Sequence, residues 1–284
     1  MPNIVGKAPV IIFIGPASCG KSTVLVSLAE YLSRPGGGFT VEPNKGFYPN
    51  DRQYEDICDK FSKILKVNVG TRSGDFKKAM PKTNYSILVD VKERGVTKFR
   101  MLEAAGEDFF DPDKMDNAGN CPAVASYIDT ITQKERVYRY PIYYVMLLDL
   151  YTNKRDNVRC LLHNDTLRKE YENRLLWLYN RRRRGDKVIL LYNKYDEHDM
   201  SQNPDWKEFL MSKYSTVDAG MKKSLLGIIS YKGYNALLPY VAGINFHDEI
   251  DKEGNQEHVY QVNGTVMKSA KDLWPALTKK YSWL

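Results

Sequence analysis

Residues 10–23 constrain the fold of this chain more than any other stretch of the sequence. A run of apolar residues, Val10 to Ile14, is followed by Gly15-x-x-x-x-Gly20-Lys21-Ser22 and then by an amphipathic segment. A strand, a glycine-rich loop and a helix in this order form the context in which a phosphate-binding P-loop works. The glycines let successive backbone N–H groups face one point, beside the positive N-terminal end of the helix. The segment therefore predicts a site for a nucleoside triphosphate.

The predicted phosphate site takes in the whole loop and the first residues of the helix. Lys21 is expected to reach the β- and γ-phosphates, and the Ser22 hydroxyl is expected to hold Mg²⁺. The residues assigned to this site are Gly15, Pro16, Ala17, Ser18, Cys19, Gly20, Lys21, Ser22 and Thr23.

The composition is that of an ordinary globular protein of 284 residues, with 43% hydrophobic and 27% charged residues. A net charge of +7 favours acidic partners but is too weak to indicate a nucleic-acid-binding protein. The four cysteines are scattered without metal-ligand spacing, which favours a reducing compartment. No apolar run approaches the ~20 residues that cross a bilayer, and the first residues begin no secretion signal. We therefore expect a cytoplasmic protein without a transmembrane segment.

Strand-like and helix-like segments alternate along the chain. Helices are predicted at 21–33, 51–65, 122–134, 157–183, 204–214 and 266–284, the last kinked or restarted at Pro275. Strands are predicted at 10–14, 85–91, 97–102, 142–150, 187–192 and 225–230, a β-hairpin within 238–262, and a loop at 39–50. The alternation predicts a three-layer α/β/α domain around a six-stranded, mostly parallel sheet in which residues 85–91 form the one antiparallel strand.

A second motif, Asn193-Lys194-x-Asp196, follows a buried strand, where a ligand-reading loop lies in an open α/β sheet. Asp196 can accept hydrogen bonds from guanine N1–H and from the exocyclic amine. Adenine offers no donor at either place, and a buried carboxylate without a partner is costly. Lys194 can lay its stem along the base, and Asn193 can brace the loops. The motif therefore predicts that the bound base is guanine.

Together these motifs resemble the Ras-like GTPases, the translation-factor-related class of P-loop proteins, over almost the whole chain. The resemblance implies the P-loop NTPase fold and a single G domain over residues 1–284, closest in character to the embellished GTPase-like proteins of bacteria. Relative to small GTPases it carries insertions at 36–82, 107–140 and 236–264, which include a helix and a β-hairpin. It also implies GTP/GDP and Mg²⁺ as ligands, and a protein effector or regulator bound through the switch loops.

The resemblance also assigns residues around the γ-phosphate. Glu103-Ala104-Ala105-Gly106 matches the family's Asp-x-x-Gly, so Glu103 would lie on the Mg²⁺ side and the Gly106 N–H would bind the γ-phosphate. Glu107 stands where the family has its water-positioning glutamine, and it could act as a base. Thr83 matches the switch threonine that binds Mg²⁺, with Thr71 as a competitor. Lys21, Glu107 and Thr83 are the catalytic candidates.

Ser230-Tyr231-Lys232 resembles the family's last base-contacting motif, whose backbone N–H meets guanine O6. This assignment depends on its place directly after the predicted sixth strand, and backbone contacts tolerate Tyr231 where the family has a small residue.

Two other functions stay open at this point. A GTP-binding scaffold without hydrolysis is motivated by Glu103 and Glu107, which replace the family's Asp and Gln. A P-loop ATPase or kinase is motivated by the apolar run that ends in Asp149, which could be the Mg²⁺-side carboxylate instead of Glu103. The oligomeric state and the cellular pathway are not determined by the sequence.

Overall fold

The structure is a computed structural model. The part of the chain that it describes is 8–15, 19–34, 36–65, 76–78, 86–103, 141–149, 185–193, 223–225, 229–231, 236–240, 244–250, 254, 256–262 and 264–278. The predicted helices at 122–134, 157–183 and 204–214 lie outside these residues. Within the described ranges, no helix is long and apolar enough to cross a membrane.

The central sheet has seven strands in the order β10-β7-β6-β1-β5-β4-β2. Their bounds are β1 Val10–Ile14, β2 Phe39–Pro43, β4 Ile87–Glu93, β5 Val96–Glu103, β6 Ile142–Asp149, β7 Lys187–Asn193 and β10 Ala236–Pro239. The pairs β1/β5, β1/β6, β6/β7 and β7/β10 are parallel. Strand β4 is antiparallel to β5 and to β2. The predicted fold class is confirmed, with one antiparallel strand at 87–93 where 85–91 was expected.

Strand β2 is the seventh strand, and the prediction of a loop over residues 39–50 was wrong there. Phe39 to Pro43 pair with Glu93 to Val89 of β4, and Thr40 and Glu42 are exposed while their neighbours are partly buried. An edge strand with one partner and one exposed face carries few apolar residues, so its alternation is weak in the sequence. It is followed by a 3₁₀ turn at Lys45–Phe47 and by helix α2, Asp51–Leu65.

The prediction of a sixth strand at Leu225–Ser230 was also wrong. Two short strands, β8 (Lys223–Leu225) and β9 (Ile229–Tyr231), pair antiparallel with each other in a sheet of their own. The place beside β7 is taken by β10, whose Ala236 to Pro239 pair with Ile189 to Tyr192. Only four residues long, β10 gives too short an apolar run to be recognised from periodicity.

A second antiparallel sheet contains β3 (Phe76–Lys78), β11 (Ile244–Ile250) and β12 (Gln256–Val262), in the order β11-β12-β3. Strands β11 and β12 form the predicted hairpin, with Ile244 opposite Val262. The segment β3, from the first predicted insertion, adds to its edge opposite Val259 to Gln261. The first and third predicted insertions therefore meet in one sheet.

Three helices pack in one hydrophobic cluster on one face of the central sheet: α1 (Lys21–Ser33), α2, and α3 (Gly264–Thr278). Ile11 and Phe13 of β1 belong to this cluster, while Val10, Ile12 and Ile14 point to the other face and are buried as well. Both faces of the sheet are thus covered, as a three-layer arrangement requires.

Helix α3 continues through Pro275, so the restart that was one of the two expected outcomes there was wrong. Proline removes one backbone hydrogen bond and crowds the carbonyl four residues earlier. Near the end of α3 this loss is confined to the last turn, and Leu273 and Leu277 on either side are fully buried in the core. Their packing holds the last turn in place.

Candidate nucleotide-binding site

The carboxyl ends of the parallel strands bring the site together at one edge of the sheet. Phe13, two residues before Gly15, is in register with Glu103 of β5 and with Val145 of β6. Asn193 ends β7 in register with Asp149 of β6. Ligands of open α/β sheets bind at this edge. The fold therefore places Glu103 and Asn193 on opposite sides of the loop that follows β1.

The loop between β1 and α1 is closed by its own side chains. The buried Lys21 donates a hydrogen bond from Nζ to the Gly15 carbonyl at 2.9 Å. The Val24 N–H donates to the Gly20 carbonyl at 3.0 Å and begins the helix. The Lys21 ammonium is thereby held across the loop at the N-terminal end of α1, where a phosphate is favoured by both charges.

Gly20 is required by the shape of the loop. Its φ of 93° lies in the left-handed region that side chains disfavour. A Cβ at this position would lie 2.6 Å from Asn193 Nδ2. The second glycine of the motif thus serves a close approach between the loop and the end of β7.

Asn193 connects the end of β7 to the loop. Its Nδ2 donates to the Cys19 carbonyl at 2.7 Å, and the residue is 1% exposed. Within the described ranges, its Oδ1 is buried without a hydrogen-bond partner. Because a buried amide oxygen without a donor costs about 1–3 kcal/mol, this atom is available to a donor from a neighbouring loop or a ligand.

Ser22 and Glu103 form the other side of the site. Ser22 Oγ donates to Glu103 Oε1 at 2.5 Å, and Glu103 Oε2 is buried without a hydrogen-bond partner among the residues that the structure describes. Burial raises the pKa of Glu103, while the Ser22 hydrogen bond and the Lys21 charge act to lower it. The carboxylate is therefore held at a position where its own negative charge is poorly solvated.

The structure brings some of the predicted site residues together and leaves others undescribed. Those at the carboxyl edge are Gly15, Cys19, Gly20, Lys21, Ser22, Thr23, Glu103 and Asn193. Those outside the described residues are Pro16, Ala17, Ser18, Thr83, Gly106, Glu107, Lys194, Asp196 and Lys232. The same holds for the side chain of Asp149.

Ser230 and Tyr231 do not follow a strand of the central sheet. Both lie in β9, which among the described strands pairs with β8 alone. The place of a residue after the last central strand belongs to Tyr240, whose N–H donates to the Tyr192 carbonyl at 2.8 Å. The reason for assigning the last base-contacting motif to residues 230–232 is thereby removed.

Tyr240 and Ser27 were not recognised from the sequence. The Tyr240 hydroxyl is hydrogen-bonded to Ser27 Oγ of α1, and both residues are almost completely buried. Ser27 Oγ also donates to the Val24 carbonyl at 2.9 Å. The contact joins the helix of the phosphate loop to the residue after β10. Nothing in the sequence signals a pair of hydroxyls 213 positions apart.

No protein-family model matches the chain, and no curated protein matches it. Solved structures similar to it include the signal recognition particle receptor SRb-GTP/SRX complex from Chaetomium thermophilum, at 13% identity and a TM-score of 0.40, covering 84% of this chain and 90% of that chain. Another is the septin GTPase domain from Chlamydomonas reinhardtii, at 12% identity and a TM-score of 0.43, covering 96% of this chain and 93% of that chain. A third is the cytosolic domain of the T. maritima FeoB iron transporter in apo form, at 12% identity and a TM-score of 0.36, covering 98% of this chain and 67% of that chain. At such scores the likeness is remote.

Proposed function

We propose that this protein binds GTP with Mg²⁺ at the loop between β1 and α1 and hydrolyses it to GDP and phosphate, as a nucleotide-dependent switch. The observation that carries the proposal is the 2.7 Å hydrogen bond from Asn193 to the Cys19 carbonyl. It ties the start of the Asn193-Lys194-x-Asp196 segment to the phosphate loop. A segment that begins there is well placed to read the base of a nucleotide whose phosphates lie on the loop.

The residues beside the loop fit a magnesium ion. Mg²⁺ prefers oxygen ligands and is bound in such sites through few protein groups together with phosphates. Ser22 Oγ and Glu103 Oε1 are such oxygens, and no described residue donates a hydrogen bond to the buried Glu103 Oε2. Bound there, Mg²⁺ would neutralise negative charge on the phosphates. These contacts support Glu103, in place of the family's Asp, as the carboxylate on that side.

The chain's own groups supply binding and orientation. Lys21 would turn from the Gly15 carbonyl to the β- and γ-phosphates, and the N-terminal N–H groups of α1 would add their donors. We further propose Gly106 for the γ-phosphate, Thr83 for the switch and Glu107 for the attacking water. Since slow turnover is usual for such enzymes without a supplied arginine, we expect slow intrinsic hydrolysis.

Competition binding tests the choice of base. Full-length protein with Mg²⁺ is titrated with a fluorescent GTP analogue, and unlabelled GTP, ATP and XTP compete. We expect GTP to displace the analogue and ATP to fail, because adenine offers Asp196 no donor. Equal competition by ATP would overturn the assignment of guanine and favour an ATPase or kinase.

Substitution of Asp196 sharpens this test. Asp196→Asn should weaken GTP binding by about 1.5–3 kcal/mol for each charged hydrogen bond lost. The same variant should gain affinity for XTP, since xanthine has a carbonyl where guanine has its amine and the Asn amide can donate to it. Lys21→Ala is the matched control, because it should weaken GTP and XTP alike. An Asp196→Asn variant with unchanged preference would refute base reading by this residue.

A single-turnover assay separates the switch from a scaffold that binds GTP without hydrolysis. The protein is incubated with GTP labelled at the γ-phosphate, and released phosphate is followed for a day. Release that depends on Mg²⁺ and is lost in Lys21→Ala supports the proposed hydrolysis. Tight binding with no release would support the scaffold instead.

A further inference from the structure

A cavity lies at the other end of α1 from the phosphate loop. Helix α1 has 13 residues, so its ends are about 20 Å apart at ~1.5 Å per residue. The cavity has a volume of about 640 Å³ and lies between the end of α1, the start of β2 and one face of α3. This volume is in the range of small-molecule pockets, roughly 300–1,000 Å³.

Aromatic side chains form the apolar wall of this cavity. Trp274 of α3 and Phe39 of β2 meet edge to face, with ring centroids 5.5 Å apart at 72°. Behind them Phe99 packs on Trp274 in the same way at 5.1 Å. Tyr31 of α1 also lines the cavity. Because Trp274 is held by two edge-to-face contacts, the wall is fixed before any ligand arrives.

Cationic side chains line the same cavity. Lys268 and Lys271 precede Trp274 at intervals of three residues, so the three lie along one face of α3. Both lysines are exposed, and within the described part of the chain neither has an ion-pair partner. Arg34 is 3.7 Å from the buried Glu30 carboxylate and keeps 44% of its side chain exposed. The cavity therefore presents an excess of positive charge beside its aromatic wall.

We propose that this cavity binds a small anionic molecule with an aromatic body, separately from the nucleotide site. Exposed lysines alone hold an anion only weakly, because water screens their charge. An aromatic body stacked against Trp274 and Phe39 adds the burial of apolar surface. A single ligand gains both the attraction to the lysines and the burial against the aromatic wall only when it carries a negative charge and an aromatic ring. The residues that line this cavity recognise that combination.

The probe for this site is 1-anilinonaphthalene-8-sulfonate, an aromatic anion whose fluorescence rises on binding. Full-length protein is titrated with and without saturating GTP and Mg²⁺. N-phenyl-1-naphthylamine, which has the same rings without the sulfonate, is titrated in parallel. We expect one anionic probe per chain, bound at least fivefold more tightly than the neutral one, with affinity falling as salt is added.

The double variant Lys268→Ala/Lys271→Ala should weaken the anionic probe at least fivefold and leave the neutral probe unchanged. Lys45→Ala, an exposed lysine beyond the other end of β2, is the matched control and should leave both unchanged. Trp274→Leu should weaken both probes, and urea denaturation checks that each variant is folded. Unchanged affinity in the folded double variant would overturn the proposal, as would competitive displacement of the probe by GTP.

Discussion

At the scale of single residues, the loop is limited by how closely its backbone approaches the end of β7. Gly20 combines a left-handed φ with a neighbouring amide nitrogen 2.6 Å from the position of a Cβ. Gly95, in the turn between β4 and β5, has a φ of 78°, but no atom of the described residues lies within 4 Å of such a Cβ. A side chain at Gly95 would therefore introduce backbone strain alone, whereas a side chain at Gly20 would introduce both strain and a steric contact.

Gly20→Ala should weaken GTP binding at least about tenfold, because the methyl group pushes Asn193 off the Cys19 carbonyl in addition to the strain of roughly 1–2 kcal/mol. Gly95→Ala should carry the strain alone and leave GTP binding unchanged. Fluorescence titration and urea denaturation of both variants measure the two effects. Equal GTP affinity in the two variants would contradict the steric argument.

At Glu103, the stability of the fold and the binding of a cation place opposite requirements on the side chain. Its carboxylate is buried, and burial raises its pKa, so the ionised form is costly in the protein without a cation. Gln keeps an oxygen that can accept the Ser22 hydrogen bond and removes the buried charge.

Glu103→Gln should therefore raise the free energy of unfolding at pH 7.5 in the presence of a chelator, and should weaken Mg²⁺-dependent GTP binding by about tenfold or more. Glu93→Gln is the control, since its side chain is 46% exposed and surface changes stay within about ±0.5 kcal/mol. Urea denaturation and GTP titration provide the readouts. A less stable Glu103→Gln variant without Mg²⁺ would contradict the role assigned to the buried charge.

At the scale of elements, two contacts hold the phosphate loop and its helix against the neighbouring strands. Asn193 at the end of β7 holds the Cys19 carbonyl, and Tyr240 after β10 holds Ser27 of α1. Tyr240 is fully buried, and burial raises the pKa of its phenol far above the usual range, so it stays a neutral hydrogen-bond partner. One contact thus fixes the loop before α1 and the other fixes the middle of α1.

A double-mutant cycle measures the contact between α1 and Tyr240. Ser27→Ala and Tyr240→Phe should each lower the free energy of unfolding by about 1–2 kcal/mol, and their coupling energy should be about 1 kcal/mol. Ser33→Ala combined with Tyr240→Phe is the matched control, because the buried Ser33 hydroxyl has no hydrogen-bond partner in the part of the chain that the structure describes. That pair should be additive. Additive effects of Ser27→Ala and Tyr240→Phe as well would exclude an energetic contact.

Some strands of the central sheet were predictable from the sequence, and others were not. The strands β1, β6 and β7 are continuous apolar runs, and the turn between β4 and β5 is marked by a glycine, so both were predictable. Strand β10 and the edge strand β2 were not, because four or five residues carry too little periodicity. The choice of β10 as neighbour of β7 is made by pairing, which local sequence does not specify.

At the scale of the whole molecule, α3 closes the chain back onto the sheet. Lys187, the first residue of β7, donates from Nζ to the Leu277 carbonyl at 2.9 Å and lies 4.7 Å from the Tyr143 ring centroid. A cation at a helix C-terminus is favoured by the helix dipole. Burial nevertheless lowers the pKa of Lys187 below its usual value. The folded protein therefore holds this proton less tightly than the unfolded chain does.

The pH dependence follows from this difference in proton binding. Because its pKa is lower in the folded protein, Lys187 loses its proton there at a lower pH than in the unfolded chain. As pH rises from 7.5 towards 9.5, the unfolded chain therefore binds more protons at this residue than the folded protein does, and the contribution of Lys187 to the free energy of unfolding increases. Lys187→Met should lower the free energy of unfolding by about 1–3 kcal/mol, and by more at pH 9.5 than at pH 7.5. Lys98→Met, at a side chain 44% exposed, is the control and should keep the parent's pH dependence. Urea denaturation at both pH values measures this, and a loss that shrinks with pH would contradict the sign.

The sequence by itself determined the loop, the strands that flank it and the residue types of the site. The glycine-rich loop between β1 and α1 has one geometry that suits its residue types, and that geometry fixes the positions of Lys21 and Ser22. The motifs already assigned Glu103 and Asn193 to the site, and the tertiary structure decided which of their atoms meet the loop and that Tyr240 contacts its helix. Glu103, Asn193 and Tyr240 come from strands β5 and β7 and from the residue after β10, and strand order and register place them. Strand order depends on contacts between residues far apart in the chain, and these leave no period in the local sequence.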